Sequence, residues 1–266
     1  MARPHTLSRI AAVACTAVLG LCVFGVSSCG GASSSLPTNP TELSGGIASN
    51  DIALREALRS WRAAADPPTA PPPAETVDAA NYLKDAARLL AARPPLAAAT
   101  IPLVPASIRR EVRELTRAAR ALRRLSAGSP PNDLEFGTPL PLAELVSLYG
   151  ASQARYRVGR NYLAAINLVE TQFGRVKSES TAGAQGPMQF IPSTWKIYGR
   201  GGNIKDAHDA IPAAARLLRA NGAPRDYGRA LHSYNPSRLY VEAVTRYAGV
   251  IERDRDAVYF LYCWQG

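Results

Sequence analysis

One glutamate follows a run of apolar residues in which its carboxyl could serve as a proton donor. Glu170 ends the segment 161–170, and at 100° per residue it lies about 20° from Leu163 and about 40° from Ile166 around a helix. Partial burial near a helix C-terminus raises the pKa of a carboxyl, which favours a general acid at neutral pH. The alternative is a glutamate at the helix rim that faces solvent or pairs with Arg175.

Two later segments carry residue types suited to a ligand cleft. The segment 180–195 reads STAGAQGPMQFIPSTW, in which Gly183 and Gly186 permit tight turns and leave room for a bulky ligand. In the same segment Met188 provides an apolar floor and Gln189 provides hydrogen-bond donors and acceptors. The segment 232–237 reads HSYNPS and predicts a polar, aromatic corner between two helices.

These segments resemble the lytic transglycosylase family with the soluble-lytic-transglycosylase (SLT) domain, which has a lysozyme-like fold. The resemblance covers about residues 140–266 and depends on four motifs in series: ETQFGR at 170–175, STAGA at 180–184, GPMQF at 186–190 and YN at 234–235. Glu-Thr followed by Phe-Gly-Arg also looks like the membrane-bound B type. The closing YCWQ at 262–265 is similar to the tail of secreted actinobacterial-style members.

The resemblance implies a role for each matching residue. Glu170 corresponds to the catalytic acid and base, and Tyr234 to the tyrosine that helps hold its carboxylate, with Asn235 as a structural companion. The remaining implied contacts with substrate come from Ser180, Met188 and Gln189. Simpler interpretations stay open for three of them: Met188 and Tyr234 as core residues, and Asn235 as a turn or capping residue.

The resemblance also implies a reaction that needs one carboxyl. Glu170 would cleave the bond between N-acetylmuramic acid and N-acetylglucosamine in peptidoglycan and close a 1,6-anhydro ring. One alternative is a hydrolytic muramidase that uses Glu179 or a positioned water, and another is a non-catalytic wall-binding scaffold. No cofactor is expected. No metal is expected either, because the segment 199–209 lacks the alternating Asp/Asn pattern of a calcium loop; Asp206 instead predicts an N-cap for a helix over 207–220.

Charge alone does not identify the partner. The 266 residues carry a formal charge of +10, and all but four of the 31 basic residues are arginine, which fits nucleic acid, anionic lipid or an acidic cell wall. The segment 10–26 contains no charged residue and follows Arg3 and Arg9, as in a secretory signal peptide; a permanent membrane span is the alternative. Cys29 ends a match to the lipobox of bacterial lipoproteins. The sequence therefore predicts a lipid-anchored protein of the cell envelope and argues against nucleic acid as the partner.

The predicted organisation is a mainly α protein in four parts. These are a lipoprotein signal peptide at 1–28, a flexible tether at 29–50, a helical N-terminal region with Pro-rich breaks at 51–137, and a lysozyme-like catalytic domain at 138–266. Asp51 and Ser107 are the predicted N-caps of two helices in the N-terminal region. The helix that starts at Ser107 carries seven arginines away from its apolar face, which favours either an anionic partner or an ordinary solvated surface.

Overall fold

The computed structural model describes residues 35–127 and 134–265. This part of the chain contains eleven α-helices and one short 3-10 helix at Ile101–Leu103, and within it the only β pairing is two isolated bridges. The mainly α prediction is confirmed. The α-helices are α1 Pro40–Ala64, α2 Ala74–Ala92, α3 Pro94–Thr100, α4 Ala106–Leu125, α5 Leu142–Tyr156, α6 Arg160–Thr171, α7 Pro192–Tyr198, α8 Ala207–Ala220, α9 Tyr227–Tyr234, α10 Arg238–Arg253 and α11 Ala257–Tyr262.

The predicted flexible tether is wrong over residues 40–50, which form the first half of α1. Leu43 and Ile47 in this segment are fully buried, and with the later α1 residues Leu54 and Leu58 they share one side of the helix against α2. Gly46 does not mark a flexible segment, because a Cβ at that position would collide with the hydroxyl of Tyr82 on α2. Glycine here allows two helices to approach closely.

Both predicted N-caps of the N-terminal region are also wrong. The cap of α1 is Asn39, whose side-chain oxygen accepts hydrogen bonds from the backbone N–H groups of Thr41 and Glu42. Asp51 lies in the middle of α1, where its carboxylate pairs with Arg55 at 3.0 Å. Ser107 lies one residue inside α4, which begins after Pro105.

The N-terminal helices and the later helices share one hydrophobic core. The cluster of buried apolar residues extends from Leu43 on α1 to Trp264 after α11 without interruption. Helix α4 packs between α2 and α10, and α10 packs in turn against α6. The end of the chain is also fixed to α2, because Lys84 donates a hydrogen bond to the Gln265 carbonyl and Gln265 N–H donates to the Asn81 side chain. Helices α1–α4 therefore form part of the same packed body as the helices after residue 138.

Helix α8 near the expected cleft begins and ends where the sequence predicts, and α7 begins at a proline. Helix α8 spans Ala207–Ala220, and the Asp206 side chain accepts a hydrogen bond from His208 N–H as its N-cap. Helix α7 begins at Pro192. Proline is tolerated in the first turn of a helix because the backbone N–H that it lacks would have no partner within the helix.

Several predicted features lie outside the described residues. They are the signal peptide at 1–28, the lipid-carrying Cys29 with the predicted tether up to residue 34, and residues 128–133 of the N-terminal region. Among the helices that the structure describes, none has the length and apolar character needed to cross a bilayer.

Candidate active site

The Glu170 carboxyl lies inside the protein on the last turn of α6. The residue is only 5% exposed, and every residue of α6 from Leu163 to Thr171 is buried. The Tyr240 hydroxyl, on α10, donates a hydrogen bond of 2.7 Å to Glu170 Oε1. Among the described residues, no lysine, arginine or histidine nitrogen lies within 4.0 Å of this carboxyl. Glu170 is therefore a buried acid with one tyrosine partner and no counter-charge.

Burial without a counter-charge raises the pKa of Glu170 to about 8, and the hydrogen bond from Tyr240 opposes part of that rise. The carboxyl is thus protonated at neutral pH. Neither alternative for Glu170 holds, since the side chain does not face solvent and Arg175 is engaged elsewhere. The Arg175 guanidinium donates to the carbonyls of Gln172 and Tyr262 at 3.0 and 2.7 Å.

The chain leaves α6 in a strained conformation immediately after the acid. Gln172 and Phe173 have φ angles of 52° and 63°, and Gly174 follows with 86°. The left-handed region costs a residue with a Cβ about 1–2 kcal/mol, so the surroundings must hold it in place. Phe173 N–H donates to the Asn167 carbonyl at 3.0 Å, and the Phe173 ring lies buried against Tyr262. This abrupt end turns the following chain across the acid-bearing end of α6.

A buried polar network fixes the neighbouring loop to α6. Asn167 Oδ1 accepts a 2.6 Å hydrogen bond from the Tyr149 hydroxyl, while Asn167 Nδ2 donates to the Pro187 carbonyl at 2.8 Å. The Thr171 hydroxyl donates to the same carbonyl at 2.7 Å. Asn167 and Thr171 lie one turn apart on α6, on either side of Glu170 in sequence. The helix that carries the acid therefore also positions the loop at Pro187.

The loop at 180–190 is a closed turn. Ser180 Oγ accepts a hydrogen bond from Ala184 N–H at 3.0 Å, and the backbones of Gln185 and Phe190 pair at 2.9 and 3.0 Å. Gly186 has a φ of 72°, and a Cβ there would collide with the Ile204 carbonyl, so no other residue fits. Ser180, predicted to contact substrate, is 6% exposed and stabilises this turn.

The structure places Met188 in the core and shows a hydrogen bond from Tyr234 to the neighbouring loop. Met188 is fully buried, so its side chain belongs to the core and not to an open groove. The Tyr234 hydroxyl donates to the Met188 carbonyl at 2.6 Å, whereas the hydrogen bond to Glu170 comes from Tyr240, six residues later. The two tyrosine rings stack with their centroids 6.3 Å apart. Tyr234 therefore supports the loop and the Tyr240 ring.

Tyr240 was missed by the sequence analysis, although a signal was present. It lies at the first position of the buried series Tyr240, Ala243, Val244, Tyr247 and Ala248 on α10. A tyrosine hydroxyl on a buried helix face needs a hydrogen-bond partner, and a buried carboxyl was available. Asn167 and Thr171, which fix the loop, were also missed.

Gln189 brings an unpaired polar atom to the same loop. The residue is 2% exposed and has a φ of 47°, and its Nε2 donates to the Gly186 carbonyl at 3.1 Å. Its Oε1 is buried and accepts no hydrogen bond from any described residue. Asn235 lies between α9 and α10, where its Oδ1 accepts from Ser237 N–H at 3.2 Å, so it stabilises the corner.

Glu179 is not a partner of Glu170 in this structure. Its side chain is 47% exposed and pairs with Lys205 Nζ at 3.4 Å. No second carboxylate contributes to the pKa of Glu170. Within residues 35–127 and 134–265, histidine, cysteine and acidic side chains form no group of three or more that could hold a metal ion. The site can therefore donate and accept a proton at one carboxyl.

Comparison with known families places this site inside a recognised domain. Residues 147–254, about two fifths of the chain, match the family model described as Transglycosylase SLT domain. The match includes Glu170, the 180–190 loop and Tyr240, and it leaves out α1–α4 and α11. It indicates a lysozyme-like domain of a transglycosylase-type enzyme whose substrate class is peptidoglycan glycan strands. No curated protein and no solved structure matches the chain significantly.

The polar network behind Glu170 gives a test of how the loop is held. Replacing Asn167 by leucine leaves the Tyr149 hydroxyl without its partner and removes one of the two donors to the Pro187 carbonyl, and should lower the free energy of unfolding by about 2–3 kcal/mol. Tyr149→Phe should cost about 1 kcal/mol. Urea unfolding of the two single variants and the double variant measures the coupling. Because both changes remove the same hydrogen bond, the double variant should lose less stability than the sum, and strict additivity would contradict the network.

Proposed function

We propose that this protein is a lytic transglycosylase that cleaves peptidoglycan between N-acetylmuramic acid and N-acetylglucosamine. One observation carries the proposal: Glu170 is a buried carboxyl with a pKa of about 8, bonded to Tyr240 and without a second carboxyl beside it. Glycoside hydrolysis ordinarily uses two carboxyl groups, about 5–5.5 Å or about 6.5–9.5 Å apart. A single carboxyl that acts first as the acid and then as the base fits a reaction in which the substrate supplies its own nucleophile.

In the first step Glu170 acts as the acid. Its proton passes to the glycosidic oxygen as the bond to C1 of the muramic acid breaks, and the acetamido group of that sugar stabilises the developing positive charge. The hydroxyl of Tyr240 donates to Oε1, so we assign the transferable proton to Oε2. The same hydrogen bond strengthens as Glu170 becomes an anion, which stabilises the charge that forms in a water-poor site.

In the second step the Glu170 carboxylate acts as the base. It takes the proton of the C6 hydroxyl while that oxygen attacks C1 and closes the 1,6-anhydro ring. The acid is regenerated in its starting form, and no water is consumed. A pKa near 8 suits both steps. The carboxyl keeps its proton at neutral pH, and the carboxylate is basic enough to take a proton from the C6 hydroxyl.

The loop at 180–190 is the proposed contact with the glycan. Gln189 Oε1 lacks a partner although it is buried, and such an atom is costly unless a ligand donates to it. Gln189 is 2% exposed, so we propose that the loop moves when substrate binds and exposes Oε1 to an N–H or O–H group of the sugar. Ser180 shapes the turn next to it, while Asn235 and Tyr234 fix the opposite corner.

The two rival functions differ in what they require. A muramidase that uses Glu179 would need that carboxylate to leave Lys205 and approach the cleft. A non-catalytic wall-binding protein would have no need of a buried acid without a counter-charge, whose burial costs stability whenever it ionises. The raised pKa of Glu170 therefore favours the enzyme.

We also propose that the enzyme is anchored to the outer face of the cell membrane. The support is the uncharged segment 10–26 followed by the lipobox that ends at Cys29. Acylated Cys29 would hold the domain near the wall for remodelling. The finer resemblances to the B type and to actinobacterial-style secreted members stay predictions.

The products of digestion test the reaction. Purified peptidoglycan treated with the enzyme should yield muropeptides that end in 1,6-anhydro-N-acetylmuramic acid, detected by mass spectrometry. Glu170→Gln keeps the shape of the side chain but cannot transfer a proton, so this variant should release no products. Glu179→Gln is the matched control and should retain the activity of the parent. Reducing ends without anhydro sugar would identify a muramidase, and an active Glu170→Gln variant would refute the assignment of the acid.

The pH dependence tests the role of Tyr240. Activity needs protonated Glu170, so it should fall as pH rises through about 8. The hydrogen bond from Tyr240 favours the charged form, and its removal in Tyr240→Phe raises the pKa of Glu170 further. The fall in activity should therefore move to higher pH, while the maximal rate drops about tenfold to a hundredfold because the carboxylate loses its donor.

Tyr247→Phe is the control for that profile. Tyr247 is also buried on α10, seven residues after Tyr240, so the two variants make the same chemical change on the same helix face. The activity of Tyr247→Phe should fall at the same pH as the activity of the parent. A Tyr240→Phe profile that shifts to lower pH, or that does not shift, would contradict the proposed contact.

A further inference from the structure

Helix α4 carries a straight line of arginines on its outer side. We call Arg110, Arg113, Arg117, Arg120 and Arg124 the arginine stripe. At 100° per residue these five positions fall within an arc of about 80°, and from first to last they extend about 21 Å along the helix axis. Arg110, Arg117 and Arg124 are exposed, and the other two are partly exposed. The stripe is thus a narrow, accessible line of positive charge.

The acidic residues of α4 do not neutralise the stripe. The helix has two glutamates, Glu111 and Glu114, and both have arginine partners on other helices: Arg55 on α1 at 3.5 Å and Arg246 on α10 at 2.7 Å. Of the stripe itself, only Arg117 has a carboxylate within 4.0 Å among the described residues, because it shares Glu114. Within residues 35–127 and 134–265, four of the five stripe guanidinium groups therefore have no acidic partner.

The apolar face of α4 is fully occupied by packing. Its buried residues face α2 and α10 and belong to the common core, among them Ile108, Val112, Leu115 and Leu122. A helix that lies in a membrane surface must bury its apolar face in the acyl chains, and α4 has no such face to offer. The stripe can therefore bind only through charge and hydrogen bonds.

We propose that the stripe binds a linear, phosphate-bearing polyanion that lies along α4. All seven basic residues of α4 are arginine, and the planar guanidinium binds phosphate oxygens through two parallel hydrogen bonds. The stripe extends about 21 Å along the axis within an arc of about 80°, which matches an extended polymer better than a flat bilayer. It lies outside residues 147–254, so it is separate from the catalytic domain of the matched family. Such a contact would hold the enzyme beside an anionic polymer of the envelope.

Binding of long-chain inorganic polyphosphate tests this inference. The full chain carrying Cys29→Ala, which prevents acylation, is titrated with fluorescent polyphosphate at several salt concentrations. The stripe variant replaces the three exposed arginines Arg110, Arg117 and Arg124 by glutamine, a good helix former. Each contact with a phosphate of a single-stranded polyanion contributes about −0.7 to the slope of log K against log salt concentration. The loss of three such contacts should therefore make the slope shallower by about 2. At low salt the affinity should fall at least about tenfold.

The matched control replaces three exposed arginines elsewhere, Arg59, Arg225 and Arg255, by glutamine. It removes the same charge and should bind like the parent. An unchanged stripe variant, or an equal loss in the control, would overturn the proposal in favour of diffuse net charge. Stripe-dependent binding to phosphatidylglycerol vesicles that exceeds binding to polyphosphate at equal phosphate concentration would overturn the proposed occupant. Peptidoglycan cleavage by the stripe variant should stay at the parental level, which separates this test from that of Glu170.

Discussion

The burial of the Glu170 carboxyl is the constraint on which the rest of the site depends. An acid placed on the buried helix α6 without a counter-charge is stable only when it holds its proton or is given hydrogen-bond donors. Among the residues that the structure describes, one donor, Tyr240, bonds to this carboxyl, which is enough to stabilise the anion when it forms but not enough to keep the acid ionised at neutral pH. The chemistry proposed for the site follows from this balance between burial and a single hydrogen bond.

The helices outside the matched family domain contribute to this balance indirectly. Tyr240 lies on α10, and α10 packs against α6 on one side and α4 on the other. Arg246, six residues after Tyr240, donates to Glu114 on α4 at 2.7 Å, so an ion pair connects α4 to α10, the helix that carries Tyr240. Helix α4, with the helices packed on it, is thus part of the support of the active site, besides carrying the arginine stripe.

Much of the fold could be predicted from local signals, and the failures share a physical cause. Asp206 and the proline at 192 mark the starts of α8 and α7 correctly, since caps depend on neighbouring residues only. The segment at 40–50 looks flexible because glycine and serine are poor helix formers, yet packing of Leu43 and Ile47 against α2 overrides that preference. Likewise, helical spacing predicts that Glu170 lies on the buried side of its helix. Its hydrogen bond with Tyr240 joins residues 70 positions apart, so no local pattern predicts it.

A direct titration of Glu170 is the measurement closest to the central claim. Carboxyl carbons of ¹³C-labelled glutamate report ionisation by their NMR shift, and the Glu170 signal is identified by its absence in Glu170→Gln. This identification is needed because burial also raises the pKa of Glu111 to about 8. The Glu170 signal should titrate near pH 8. A midpoint near 4.5, the ordinary value for glutamate, would contradict a buried acid that keeps its proton at neutral pH.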